Sequence, residues 1–130
     1  MTRHSQLFLH DPANGITGDC WRACVACLLD VPVERVPHFI LKPTWYEDTQ
    51  AWLRERGFGL YEFGGLFEQV GHTGVSGCHH IITGASPRDP VNVRHSVIGL
   101  DENVLWDPHP SRAGIVGEPH SWYHAILVKL

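Results

Sequence analysis

Apolar and polar residues follow two different patterns in the two halves of the chain. Between Gly18 and Asp30 the apolar residues recur at the i, i+3, i+4 spacings of a helix with one buried face. Asp19 is placed to cap that helix, its carboxylate accepting a hydrogen bond from a free N–H of the first turn. Val31-Pro32 ends it, because the residue before a proline is pushed out of helical geometry. Val33-Glu34-Arg35-Val36-Pro37 reads as one helical turn. A second helix opens at Thr44, with Glu47 at the capping-box position and Gly57 as the stop, and Trp45, Ala51, Trp52 and Leu53 forming its buried face. The second half reads as strands: Gly59 to Phe63, His79 to Thr83, Val93 to Leu100, Val104 to Asp107 and Trp122 to Val128. A glycine-rich loop with a short helical turn spans Gly64-Gly65 to Gly77, and Asp101-Glu102-Asn103 is a tight turn. Near the start, Leu7-Phe8-Leu9 is a short strand or an anchoring coil, followed by a loop at Asp11 to Gly15. Helices first and an antiparallel sheet second predict the α+β class, with a single domain over residues 1–130.

Composition narrows the function classes. Hydrophobic residues make up 43% of the 130 residues and charged ones 18%, as in an ordinary soluble domain. The net charge of -4 argues against a nucleic-acid partner. No apolar run approaches the roughly 18 residues of a membrane span. No apolar signal region follows Met1-Thr2-Arg3-His4-Ser5 to direct secretion, so a cytoplasmic protein is expected. Three of the four cysteines fall on one short helix, in poor geometry for bridging one another, and reduced thiols are expected.

One cysteine stands apart. Cys20 is at the N-terminus of the first helix, where unpaired N–H groups and the helix dipole favour a thiolate. Nucleophilic catalysis by a thiolate needs a base to share its proton and a group to orient that base. His95, near the start of a strand, is the best base. Asp107, at the end of the next strand, is the best orienting group, since a hairpin between the two strands makes them neighbours on one sheet face. Cys, then His, then Asp, with the first on a helix and the others on strands, is the papain-like order.

The chain resembles minimal papain-like cysteine hydrolases and is similar in layout to the peptidase domains that process bacteriocin leaders. In wording it is closest to a family of small phage and bacterial proteins of this type. The residues that carry the resemblance are Gly18-Asp19-Cys20-Trp21, Leu28-Leu29, Val36-Pro37-His38-Phe39, Ser86-Pro87-Arg88, His95 and Asp107-Pro108-His109-Pro110-Ser111. The resemblance implies a side-chain amide ahead of the nucleophile which, with the Cys20 N–H, stabilises an oxyanion. Gln6 is preferred for that role; Asn14 is the alternative, but it precedes a glycine and reads naturally as a turn residue.

The expected function is therefore hydrolysis of an amide, isopeptide or thioester bond through an acyl-enzyme on Cys20. The partner would be a peptide or a small amide or acyl compound; a monomer is expected, with no metal and no organic cofactor. Trp21 is assigned to substrate binding at the cleft wall, or else to the core. His109 either lines the cleft or caps a loop. Ser86-Pro87-Arg88 holds a structural arginine or one that binds a substrate carboxylate or phosphate. Two other classes compete. Cys20, Cys24 and Cys27 with Cys78-His79-His80 could bind zinc, although the Cys24-x-x-Cys27 pair lies within an apolar helix. A papain-like module that binds without catalysing is the third reading.

Overall fold

The computed structural model describes residues 1–64, 77–101 and 103–130. They form helices α1 (Cys20–Leu29) and α2 (Trp45–Arg54) and strands β1 (Phe58–Gly64), β2 (His79–Ser86), β3 (Asp89–Leu100), β4 (Asn103–Trp106) and β5 (Tyr123–Lys129). Short 3-10 turns at Val33–Arg35 and Phe39–Leu41 join the helices. All strand pairs are antiparallel, in the order β1-β5-β2-β3-β4, so the class is α+β. Most of the expected glycine-rich loop, with its helical turn, and Glu102 of the expected tight turn lie outside the described residues.

α1 is the hub of the core. Trp21, Ala23, Cys24, Val25, Ala26 and Cys27 are all buried, and a consecutive run from 23 to 27 covers every side of a helix. The single buried face expected from the sequence is thus a helix enclosed nearly all round. It packs mainly on β3 and β2, and Ile81, Ile98 and Ala125 bring the middle of the sheet into the same cluster. It ends at Asp30, whose left-handed backbone (φ 56°) lets its N–H reach the Ala26 and Cys27 carbonyls.

Two caps differ from expectation. Asp19 flanks α1, but its carboxylate does not bond the first turn. It is fully buried and accepts the Phe8 N–H at 2.8 Å, with the Arg22 guanidinium 3.5 Å away. Its own N–H donates to the Phe8 carbonyl at 3.3 Å. The residue that looks like a cap is the anchor for the N-terminal coil, because a buried carboxylate takes the donors that burial supplies. Thr44 likewise does not complete a capping box with Glu47; its hydroxyl donates to Asp48 at 2.9 Å. On α2 the buried residues are Thr49 and Leu53, Trp45 and Trp52 are half-buried, and Ala51 is exposed.

Leu7-Phe8-Leu9 is the anchoring coil rather than a strand. Besides the two bonds to Asp19, the Gln6 N–H donates to the Pro108 carbonyl at 3.0 Å. Gly18 suits this approach: a Cβ there would lie 3.0 Å from the His10 backbone nitrogen, a tight contact that the coil would have to give way to. The coil therefore lies directly against the start of α1.

Asp19→Ala should remove about 1–3 kcal/mol of stability, because it strands a buried N–H and a guanidinium. It should also abolish protection of the Phe8 amide in hydrogen exchange. Asp19→Ser can cap a helix but is too short for this anchor. Restored Phe8 protection in that variant would return Asp19 to a capping role.

Candidate active site

β3 contributes His95, and the chain just past β4 contributes Asp107. Trp106 pairs with Ile98, and the register shifts by one residue after that pair. β4 ends at Trp106, so Asp107 is not in the strand, as the sequence had suggested, but immediately beyond it. Continuing the register puts Asp107 opposite Val97, which makes His95 its diagonal neighbour rather than its direct cross-strand partner. The contact is nonetheless close: His95 Nε2 and Asp107 Oδ1 are 2.7 Å apart, and both residues are 4% exposed.

Asp107 is satisfied on both oxygens. Oδ1 also accepts the His109 N–H at 2.9 Å, and Oδ2 accepts the Gly114 N–H at 2.8 Å. Burial disfavours the carboxylate, but the hydrogen bonds from His95, His109 and Gly114 outweigh it and hold Asp107 below the usual carboxylate range. Burial likewise opposes a charged His95. Asp107 and then Cys20, each through a hydrogen bond and its charge, override that and raise His95 from 6.5 to about 9. Since Nε2 is committed to Asp107, Nδ1 is the ring nitrogen left for Cys20.

Cys20 is the first residue of α1 and is half-exposed, whereas Cys24 and Cys27 are buried. All four cysteines are free thiols. Burial pushes Cys24, Cys27 and Cys78 above the ordinary thiol value. Cys20, His95, Gln6, Gly18, Arg88 and His109 line one cleft of about 460 Å³.

The other expected site residues separate clearly. Gln6 is at the cleft, one amide N–H donating to the Phe8 carbonyl at 2.7 Å. Asn14 is exposed and bonds Asp11 at 2.7 Å within its own turn, outside the cleft lining. Trp21 does not line the cleft. One step along a helix rotates a side chain by about 100°, so with Cys20 turned to the cleft Trp21 is turned into the core. There its indole N–H donates to Thr49 at 3.2 Å and its ring meets Trp45 edge-on. His109 sits at the cleft with its ring edge-on to His95, 6.0 Å between centroids. His79 and His80 are adjacent on β2 and so project to opposite sides of the sheet. Among the described residues, no three His, Cys, Asp or Glu side chains converge as a metal site. Nor is any described helix long and apolar enough to cross a membrane.

No known protein family, curated protein or solved structure matches the chain.

Two residues that the sequence reading passed over support this geometry. Arg112 donates to the carbonyls of Asp107 (2.8 Å) and His109 (2.9 Å), reaches Ser5, and stacks over Trp106 at 4.0 Å. Gly114 supplies a backbone N–H to Asp107 from a left-handed conformation, φ 77°. The glycine was the one visible signal, as the residue that most readily takes a positive φ.

The His95 imidazole should titrate near 9 when followed by NMR, and Asp107→Asn should move it down, since burial then acts with less opposition. A raised histidine contributes stability that is complete below 6.5 and lost as pH rises through about 9. A lowered carboxylate contributes stability that is complete above 3.8 and lost as pH falls. The stability gap between wild type and Asp107→Asn should therefore be widest from pH 3.8 to 6.5 and narrow on either side. Thermal melts across that range check it; a gap that widens above pH 9 would contradict the assignment.

Proposed function

We propose that the protein is a papain-like cysteine hydrolase that cleaves an amide, isopeptide or thioester bond in a peptide or small acyl compound. The observation that carries this reading is the buried 2.7 Å bond from Asp107 to His95, on an imidazole that also interacts with the thiol at the start of α1. A histidine charged at neutral pH, beside a sulfur at a helix N-terminus, favours a thiolate–imidazolium pair.

In this scheme the Cys20 sulfur attacks the carbonyl carbon and a C–S bond forms. The carbonyl oxygen becomes an oxyanion that receives the Cys20 N–H and the second amide N–H of Gln6. As the intermediate collapses, His95 gives its proton to the leaving nitrogen or sulfur, and that bond breaks. Water then attacks the thioester, His95 takes its proton, and the acid departs with Cys20 released as thiolate. Asp107 holds the imidazole in one orientation and stabilises its charged form throughout. Every step uses groups of the chain and water.

Reactivity tests the nucleophile before any natural substrate is known. During a short exposure to iodoacetamide at neutral pH, Cys20 should alkylate far faster than Cys24, Cys27 or Cys78, as read by peptide mapping. Equal labelling of the four would end the assignment.

Turnover tests the three residues as a unit. With an activated ester or small thioester, wild type should show a burst of about one equivalent, as acyl-enzyme chemistry requires. Cys20→Ala and His95→Ala should each lower turnover by roughly a thousandfold or more, and the double variant should be no worse. Asp107→Asn should keep more residual activity, since no reacting atom is removed. Additive losses in the double variant would show that Cys20 and His95 do not act in one mechanism.

A further inference from the structure

The cleft holds a charge that the acyl-transfer chemistry does not use. Arg88, in the turn between β2 and β3, lines the cleft beside His95 and His109. Its Nη1 donates to Ser111 Oγ at 3.0 Å. That hydroxyl is 2.8 Å from His109 Nδ1, which also accepts the Ser111 N–H at 3.0 Å. Nδ1 is therefore an acceptor, and a neutral His109 carries its proton on Nε2. Burial first, and then the charge of Arg88, favour the neutral ring.

Arg88 and His109 thus present donors to this side of the cleft. Four of the five guanidinium N–H groups of Arg88 remain, with the His109 Nε2–H beside them. The neighbouring charged groups have hydrogen-bond partners of their own. The His95 imidazolium is matched by Asp107. Asp89 accepts the Asn92 backbone and side-chain N–H groups, at 3.2 and 3.3 Å. Arg94 also lines the cleft, but its Nη2 donates to the Thr83 carbonyl at 3.4 Å and its guanidinium lies 5.7 Å from the Tyr123 ring. Among the described residues Arg88 makes no ion pair.

We infer that the cleft takes an acyl substrate bearing a carboxylate, and that Arg88, held by Ser111 beside His109, receives it. The inference rests on the reading of Cys20 as nucleophile. The Arg88 guanidinium matches one negative charge, and its planar fork fits a carboxylate in two parallel hydrogen bonds. A phosphate dianion would be only half compensated there, with Asp89 and Asp107 close by.

Matched alkylating probes test this on the intact protein. Iodoacetate and iodoacetamide form one pair, N-iodoacetylglycine and N-iodoacetylglycinamide a longer one. In each case the Cys20 sulfur displaces iodide, and each rate is divided by that of free cysteine at the same pH. The anionic member of the longer pair should be favoured over its amide. Arg88→Gln should lower that preference about tenfold, the scale of one charge-assisted hydrogen bond. Arg88→Lys should restore part of it, and Ser111→Ala should lower it less than Arg88→Gln. A preference that Arg88→Gln leaves untouched, or equal losses for both members of a pair, would overturn the inference.

Glutarate and inorganic phosphate, compared as protectants at equal ionic strength, separate the two anion classes. Protection by glutarate supports a carboxylate site, and stronger protection by phosphate overturns it. Glutarate titrated into Cys20→Ala protein, followed through the Arg88 side-chain and His109 NMR signals, needs no reactive thiol. Signals that move in that protein but not when Arg88→Gln is added uphold the carboxylate site, even if Cys20 proves inert. Signals that do not move refute the site without touching the Cys20 assignment.

Discussion

A carboxylate removed from water costs several kcal/mol unless its oxygens are filled by donors, and Asp107 is such a carboxylate. Its three donors come from different places: the His95 ring, the His109 backbone and the Gly114 backbone. To deliver the last two, the chain after β4 must curl around Asp107. Arg112 fastens the outside of that curl and links it to Ser5. The same curl presents the Pro108 carbonyl to Gln6, while Trp106 donates to the His4 carbonyl at 2.8 Å. The N-terminal coil is thus stitched along the loop and brought to the mouth of α1. The position of Gln6 at the cleft follows, step by step, from satisfying one buried charge.

Much of the fold was legible because it rests on local pattern. The five strands fall where alternation and turn residues put them, with ends displaced by a few residues, and both helices lie where their periodicity puts them. The candidate site was legible where residue type announces chemistry: a cysteine at a helix start, a histidine in a strand, an aspartate before a proline. Cys20, His95 and Gln6 line one cleft, and Asp107 is bonded to His95 at its edge.

What could not be read depended on partners distant in sequence. Asp19 has every mark of a cap, yet its donor is the Phe8 N–H, 11 residues away, and no local rule reports that bond. Residue type left Trp21 between the cleft wall and the core, and helical rotation and the arrival of α2 decided for the core. Asp107 stands just past the end of β4, where its oxygens take N–H groups from His109 and Gly114 farther along the chain. Arg112 and Gly114 act on backbone carbonyls or through a backbone N–H, and residue type says little about such roles.

The strand order has a consequence for assembly. Among the described residues β1 pairs only with β5, and β5 lies between β1 and β2 although it follows both in the chain. The β2–β3–β4 meander, which leads to His95 and Asp107, can zip from near neighbours. β1 can be held early by Gln50 of α2, which bonds both backbone groups of Leu60, but it joins the sheet only when a loop closes from Phe58 to Lys129, and long loops close late and slowly. His95 can therefore be framed early, while the five strands become one sheet only when β5 slots in. Damage to β5 would uncouple β1 from the meander without touching any residue of the cleft.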